Sequence, residues 1–135
     1  MAHAIASRTV LEITERASLE GVKDLRSRIA DLKRMGFRIA IDDLGAGYAG
    51  LTSMANVDPE VVKLDMSLVR GVDQSTTKRK LIQSLAAASR DLGMLVICEG
   101  VETVDERDTL VGLGCDLFQG FLFARPERGF PVPRF

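Results

Sequence analysis

The pattern of apolar and polar positions predicts five short β-strands with helices between them. Period-two alternation or a continuous apolar run marks the strands, which we expect at 8–15, 37–43, 60–65, 94–99 and 115–123. Apolar residues three and four apart predict helices at 19–35 and 75–92, and shorter helices are expected at 48–55 and 103–113. In the helix at 75–92 the apolar stripe consists of Leu81, Leu85, Ala88 and Leu92.

Three of the predicted helices end in a glycine, and an apolar strand follows each glycine at once. These residues are Gly36, Gly93 and Gly114. Such a repeating helix and strand unit is typical of right-handed parallel crossovers, with the helices packed outside one sheet. The sequence therefore predicts an α/β fold, and in such folds ligands bind at the carboxyl ends of the strands.

All five predicted strands carry polar side chains near the carboxyl end. These side chains are Glu12, Asp42 and Asp43, Lys63 and Asp65, Glu99, and Gln119. Pleating predicts that Asp42 and Asp43 point to opposite faces of their strand. It also places Lys63 and Asp65 on one face, so an internal salt bridge between these two is a competing explanation for the lysine. Five polar strand ends in one sheet predict a functional site.

Composition excludes several classes of function. The chain has 135 residues, enough for one domain, and its 18 basic and 19 acidic residues leave a formal charge of -1. We therefore expect no nucleic acid polymer and no anionic membrane surface as a partner. No apolar run approaches the roughly 18 residues that a membrane span needs, so a cytoplasmic location is expected. Cys98 and Cys115 are expected to be reduced, buried thiols.

Apart from Asp65, the candidate site contains four carboxylates, one lysine and one amide, without a convincing nucleophile. Oxygen ligands of this kind favour a hard cation, Mg²⁺ or Mn²⁺, over zinc. Two such ions about 3.5–4 Å apart would bind a phosphodiester and lower the pKa of a bound water. Lys63 would then neutralise charge on the phosphate or orient that water.

Five motifs resemble, in order and spacing, the second half of EAL domains, the bacterial phosphodiesterases that linearise cyclic di-GMP. The motifs are LEITE at 11–15, DDLGAGY at 42–48, VKLD at 62–65, EGVET at 99–103 and QGFLFARP at 119–126. The resemblance covers about residues 8–128. It implies a partial (β/α) TIM-type barrel, a half-barrel of about five parallel strands with outer helices.

The resemblance also implies roles for individual residues. Glu12 and Asp42 match ligands of one metal, Asp43 matches a ligand of the second, and Lys63 matches the lysine near the water and phosphate. Glu99 matches an acid that coordinates metal or assists the attacking water, and Glu102 and Gln119 match supporting polar positions. Glu15 matches the glutamate that holds the loop after Asp43, and this loop, 44–51, couples the metal site to dimerisation in the family.

The chain departs from the family pattern in two ways. The opening Glu-x-Leu-x-Arg motif and a later asparagine ligand are absent, and Leu44, Ala46, Ala49 and Gly50 replace Phe, Thr, Ser and Ser of the usual loop. We therefore expect a truncated domain that binds Mg²⁺ or Mn²⁺ weakly or not at all, and that is inactive alone in hydrolysing cyclic di-GMP to linear pGpG. Residues 1–7 are expected to be a disordered or cloning-derived start, 8–128 the barrel part, and 129–135 a tail.

A half-barrel leaves two sheet edges and an apolar face uncovered, which predicts a homodimer or higher self-association. Two alternatives to a phosphodiesterase fragment remain. In the first alternative, the chain is a degenerate module that binds cyclic di-GMP without hydrolysing it. In the second, it is a self-associating half-barrel whose acids form salt bridges.

Overall fold

The structure, a computed structural model, describes residues 5–14, 21–47 and 50–135. Five parallel strands form one sheet in chain order: β1 (Val10–Thr14), β2 (Arg38–Leu44), β3 (Val61–Leu64), β4 (Leu95–Glu99) and β5 (Leu117–Gln119). The helices are α1 (Leu25–Arg34), α2 (Gly50–Val57), α3 (Met66–Val69), α4 (Thr76–Asp91) and α5 (Val104–Gly112), with a 3₁₀ turn at Val72–Gln74. The predicted parallel α/β arrangement is confirmed.

The helices pack on one face of the sheet. Ile39 and Ile41 of β2 form one buried cluster with Ile29 of α1 and Val57 of α2. A second, larger cluster joins β3 and β4 to α2, α3, α4 and α5, through Val62, Leu64, Cys98, Met54, Val69, Ile82, Ala86 and Leu110. Burial of these apolar surfaces is the main force that holds the helices against the sheet.

The opposite face of the sheet carries the predicted site. The register places Glu12 beside Ala40, Ala40 beside Val61, and Val61 beside Leu95 on this face. Leu95 is 50% exposed and Leu117, on the next strand, is 39% exposed. Ala40 and Val61 are buried, whereas the part of this face around Leu95 and Leu117 is open to solvent.

Helix α4 presents a different face from the one predicted. Ile82, Ala86 and Ser89 are buried, whereas Leu81 and Leu92 of the predicted stripe are 49% and 62% exposed. The predicted set (81, 85, 88 and 92) and the buried set (82, 86 and 89) both have helical spacing and are offset by one residue. Periodicity therefore does not decide which set is buried. Leu85 of the predicted stripe is partly buried and packs at the border of the larger cluster, so the helix is rotated by about one residue from the predicted orientation.

Two element boundaries differ from the prediction by more than two residues. The described part of α1 begins at Leu25, because Asp24 adopts a left-handed conformation with φ 58°. Strand β5 ends at Gln119 and does not continue to Phe123. A Cβ on Gly120 would lie 2.1 Å from the carbonyl oxygen of Val101, so the chain packs backbone on backbone there and turns.

Both cysteines are buried and free, as predicted. In the part of the chain that the structure describes, none of the helices has the length and apolar character that crossing a membrane requires.

Candidate functional site

A β-bulge in β2 brings Asp42 and Asp43 to the same site. Ile41 pairs with Val62 and Leu44 with Leu64, so β2 has one residue more than β3 between these pairs. Asp43 has φ 58°, and one oxygen each of Asp42, Asp43 and Glu99 all lie within 4.8 Å of one another. The prediction that pleating separates the two aspartates is therefore wrong.

The bulge has a physical reason in the residue that follows it. An uninterrupted strand would place Leu44 on the same face as Asp42, but the extra residue returns Leu44 to the buried cluster, where it is 1% exposed. Among non-glycine residues, Asp and Asn tolerate positive φ best. Burial of Leu44 thus holds Asp43 in a strained conformation that places its carboxylate in the site.

Lys63 lies at the centre of three carboxylates from three different strands. Its Nζ is 2.9 Å from Glu12 Oε1, 2.8 Å from Glu99 Oε1 and 3.4 Å from Asp42 Oδ1, and its side chain is only 9% exposed. Asp65 instead caps α3, where its Oδ2 accepts the Ser67 N–H at 2.8 Å. The competing explanation, a salt bridge between Lys63 and Asp65, is therefore wrong.

The charges of this cluster are interdependent. Burial alone would lower the pKa of Lys63, but hydrogen bonds to Glu99 and Glu12 outweigh burial and raise the pKa above its ordinary value. Burial, together with the negative charge of Asp42, raises the pKa of Glu99 against the opposing effect of Lys63. Lys63 thus stays charged, and Glu99 takes up a proton more readily than an ordinary glutamate does.

A cavity of about 380 Å³ opens next to this cluster. Its polar lining consists of Asp42, Asp43, Asp65, Glu99, Glu102 and Gln119, and its other lining residues are Met66, Gly100, Gly120 and Phe121. The structure therefore brings Gln119 and Glu102 to the same cavity as the acids, while Glu12 reaches the cluster through Lys63. Glu15, Tyr48 and Ala49 lie outside the described residues.

Glu106 joins the segment after α3 to the loop after β4, which borders the cavity. Its carboxylate is 3% exposed and accepts the N–H groups of Gly71 at 2.9 Å, Glu102 at 2.9 Å and Thr103 at 3.2 Å. The Thr103 hydroxyl accepts the Glu106 N–H in return, which confirms the predicted capping box. Arg70 also pairs with Glu102. The capping pattern indicated Glu106, but no local pattern indicated its bond to Gly71 or the partner of Arg70.

Replacing Glu106 by glutamine is expected to reduce stability in a pH-dependent way. Burial alone would raise the pKa of Glu106, but the backbone N–H groups outweigh it and lower the pKa below its ordinary value of 4.5. The stabilisation is thus present above the unfolded-state pKa and lost as pH falls through the folded-state pKa. Urea unfolding should show a loss of about 1–3 kcal/mol near neutral pH, which shrinks toward about pH 3.

Thr103→Ala is the matched control. It removes the other half of the same capping box and should cost about 1 kcal/mol. The Thr103 hydroxyl does not titrate between pH 3 and neutral pH. The loss of stability in Thr103→Ala should therefore be equal near neutral pH and near about pH 3. A pH-independent loss in Glu106→Gln would contradict the assignment.

The three clustered carboxylates fit a divalent cation. Asp42, Asp43 and Glu99 each offer one oxygen to a common point, and hard cations such as Mg²⁺, Mn²⁺ and Ca²⁺ take oxygen ligands. Asp42 and Glu99 also pair with Lys63, so a bound cation would share these two carboxylates with the lysine.

A family model described as the EAL domain matches residues 1–126. The chain belongs to the EAL-domain family. The recognition made from the five motifs is thus confirmed. Of the strand-end acids in those motifs, Asp42, Asp43, Asp65 and Glu99 line one cavity, and Glu12 pairs with the neighbouring Lys63.

Known proteins similar to this EAL domain include enzymes and nucleotide complexes. The cyclic di-GMP phosphodiesterase PdeF of Escherichia coli K12 is 33% identical over 118 residues, 87% of this chain and 16% of PdeF. Klebsiella pneumoniae BlrP1, solved with manganese and cyclic di-GMP, has a TM-score of 0.83 at 39% identity, over 90% of this chain and 31% of BlrP1. A standalone EAL protein of Vibrio cholerae O395, bound to cyclic di-GMP, has a TM-score of 0.86 at 32% identity, over 96% of this chain and 55% of that protein.

These structural matches confirm the predicted partial (β/α) TIM-type barrel. The chain nevertheless spans between 16% and 55% of the length of these three proteins. The five parallel strands and outer helices match one part of each of these proteins.

Proposed function

We propose that this site hydrolyses one phosphodiester bond of cyclic di-GMP, giving linear pGpG, with Mg²⁺ or Mn²⁺ bound to its acids. The observation that carries the proposal is the convergence of Asp42, Asp43 and Glu99 around a common point beside a buried, charged Lys63. The similarity to PdeF and to EAL structures that contain cyclic di-GMP supports this choice of substrate.

In this proposal the acids have distinct roles. Glu12 and Asp42 hold one cation and Asp43 holds a second, and a bound cation would supply Lewis acidity and lower the pKa of a water ligand. Glu99 lies close enough to the cluster to hold metal or to accept the proton of the attacking water, and its raised pKa suits proton transfer.

The remaining polar residues bind and orient the substrate. Lys63 keeps its proton and places a positive charge beside the scissile phosphate. Gln119 and Glu102 line the cavity and orient substrate or water within it. The role proposed for Glu15, holding the loop at 44–51, concerns a residue outside the described part of the chain.

We further propose that this chain reaches full activity only together with additional barrel strands. A closed (β/α) barrel has eight parallel strands, whereas the described sheet has five. Ligands from further strands would complete the oxygen shell of a hard cation, and without them metal binding is weak. Residues 8–128 are, in this proposal, the C-terminal part of the barrel, with 129–135 as a tail.

The test is an assay for the linear product. The chain is incubated with cyclic di-GMP and Mn²⁺, alone and mixed with a polypeptide that carries the first half of the BlrP1 EAL barrel, and products are separated by chromatography. We expect pGpG in the mixture and little or none from the chain alone. Nucleotide binding without turnover in the mixture would support the receptor alternative, and no binding in either sample would support the scaffold alternative.

The open part of the sheet face is expected to drive self-association. Leu95 and Leu117 are exposed on this face, and β1 and β5 are the edges of the described sheet. We propose that two copies associate through these surfaces as a homodimer. Leu95→Glu should weaken the association at least about tenfold, a cost of about 1.4 kcal/mol, as measured by sedimentation equilibrium.

Met35→Glu is the control for self-association. Met35 is 56% exposed, similar to Leu95, but it lies at the end of α1 and not on the open sheet face. An equal effect of both substitutions, or a wild-type chain that stays monomeric at all concentrations, would contradict the proposed interface.

A further inference from the structure

Arg70 holds two residues of the cavity wall, although its own side chain does not line the cavity. Its Nη1 pairs with Glu102 Oε2, and its Nη2 donates to the Gly100 carbonyl at 3.3 Å. Its Nε is 3.9 Å from Glu106 Oε1, a weaker contact. Gly100 and Glu102 both line the cavity. Arg70 therefore acts on the cavity only through the residues that it holds.

The backbone of Arg70 is fixed on both sides. Its N–H donates to the Met66 carbonyl at 2.8 Å, and its carbonyl accepts a hydrogen bond from Lys78 Nζ at 2.6 Å. The N–H of the next residue, Gly71, donates to the buried Glu106 carboxylate at 2.9 Å. The guanidinium group thus extends from a fixed point at the end of α3.

The five carboxylates of the cavity wall fall into two sets. Among the described residues, three of them converge on a common point, and these are Asp42, Asp43 and Glu99. The other two have different partners, because Asp65 caps α3 and Glu102 pairs with Arg70. Without its partner, Glu102 would add a full negative charge to the wall, which would attract a cation and repel a phosphate.

The pair of Arg70 and Glu102 combines an ionised carboxylate with zero net charge. The hydrogen bond from Arg70 lowers the pKa of Glu102 below its ordinary value of 4.5, and the charge of Arg125 adds to this effect. Both members of the pair are partly exposed, at 45% and 38%, so the pair contributes little to stability. Its effect on the charge of the cavity is therefore the more important one.

We propose that Arg70 is a positioning residue of this site, which holds Glu102 at the cavity wall and neutralises its charge so that an anionic substrate can lie beside the acid cluster. The proposal rests on the proposed function for its choice of substrate, because each of the two phosphodiester groups of cyclic di-GMP carries a negative charge. A guanidinium group suits this role, since its planar fork bonds a carboxylate and a carbonyl at once.

Replacing Arg70 by methionine should change the binding of a cation and of an anion in opposite directions. The cavity wall becomes more negative by one charge, because Glu102 loses this partner. Calorimetry is done on the chain mixed with the first half of the BlrP1 EAL barrel. Mn²⁺ affinity should rise, and cyclic di-GMP affinity at saturating Mn²⁺ should fall, each by about threefold. In the same mixture, KM should rise while kcat is maintained.

The opposite directions distinguish this role from a structural one, which would weaken both ligands or affect neither. Both shifts should shrink in about 1 M salt, where the Debye length is about 3 Å. Arg70→Lys keeps the charge and should bind both ligands like the wild type. Arg70→Met combined with Glu102→Gln again leaves no net charge, and Mn²⁺ affinity should return to the wild-type value.

Arg34→Met is the matched control. Arg34 forms an exposed ion pair with Asp31, and it lies at the end of α1, before the amino end of β2. The substitution removes the same charge from the chain, far from the carboxyl ends of the strands. Both affinities should therefore stay unchanged. Arg70→Met and Arg34→Met should also unfold at similar urea concentrations, because both pairs are exposed.

A measurement on the chain alone requires neither metal nor turnover. The pKa of the Glu102 carboxyl is followed by NMR during a pH titration. It should lie below 4.5 in the wild type and rise in Arg70→Met, while Arg34→Met leaves it unchanged.

The outcomes separate this inference from the proposed function. Shifts of both affinities in the same direction, no shift of either, or an unchanged pKa of Glu102 in Arg70→Met would overturn the role of Arg70, while pGpG formation would still support the phosphodiesterase. Opposite shifts without any pGpG from the wild-type mixture would overturn the proposed function and support the role of Arg70. If the mixture binds neither ligand, the proposed function fails, and the pKa of Glu102 still decides whether Arg70 neutralises it.

Discussion

Replacing Lys63 by methionine is expected to lower the free energy of unfolding by about 3 kcal/mol in metal-free buffer, the low end of the range for broken buried ion pairs. The substitution leaves Glu12, Asp42 and Glu99 without the cation that all three contact. Glu12 is 47% exposed and screened by water, so the cost comes mainly from Asp42 and Glu99. Thermal and urea unfolding with a chelator present would measure it.

Manganese should partly restore the stability of the Lys63→Met variant. A divalent cation among the same acids replaces the lost positive charge and binds only the folded state. The stabilisation by Mn²⁺ should therefore be larger in the variant than in the wild type.

Lys33→Met is the matched control for Lys63→Met. Lys33 forms an ion pair with Glu60 at 2.8 Å, but both side chains are partly exposed, at 26% and 37%. Removing this pair should cost less than about 1 kcal/mol. Equal losses in the two variants would contradict the central role of Lys63 in the acid cluster.

The second large effect is expected from Asp43→Asn. Asparagine tolerates positive φ as aspartate does, so the bulge and the burial of Leu44 should persist. The variant loses one anionic oxygen ligand, and Mn²⁺ affinity should fall by at least about 10–100-fold, the range that even outer partners of a metal site contribute. Calorimetric titration with Mn²⁺ would measure the loss, and turnover in the complemented enzyme should fall in parallel.

Asp24→Asn controls for the substitution itself. Asp24 has the same φ of 58° but stands at the start of α1, where its side chain makes no capping hydrogen bond, and it is not among the clustered carboxylates. It should bind Mn²⁺ like the wild type. If Asp43→Asn also keeps wild-type Mn²⁺ affinity, Asp43 is not a metal ligand, and the bulge does not serve to place a ligand in the site.

Features that depend on neighbouring residues in the chain could be predicted correctly. The alternation of helices and strands, the polar carboxyl ends of the strands and the capping box of Thr103 and Glu106 all agree with the structure. Each follows from periodicity or capping within a few residues, where local geometry leaves few alternatives.

Features that depend on contacts between distant segments could not be predicted. The partner of Lys63 is the clearest case, because Asp65 is near in sequence and Glu12 is 51 residues away, yet the lysine bonds to Glu12. Likewise, Arg70 pairs with Glu102, 32 residues along the chain. The exposure of Phe121 was equally unpredictable, because it depends on the bonds of Val101 to the turn after β5.

The sequence by itself thus determined the order of the elements and the kind of chemistry at the strand ends, since both are local properties. Only the tertiary structure decided which carboxylates meet. The extra residue in β2 brings Asp42 and Asp43 to one site and lets Leu44 pack in a core built from other elements. The same holds for α4, which has two neighbouring sets of residues with helical spacing, of which packing buries Ile82, Ala86 and Ser89. The register of paired strands and the face that a helix buries are decided by packing between elements, which the local sequence does not determine.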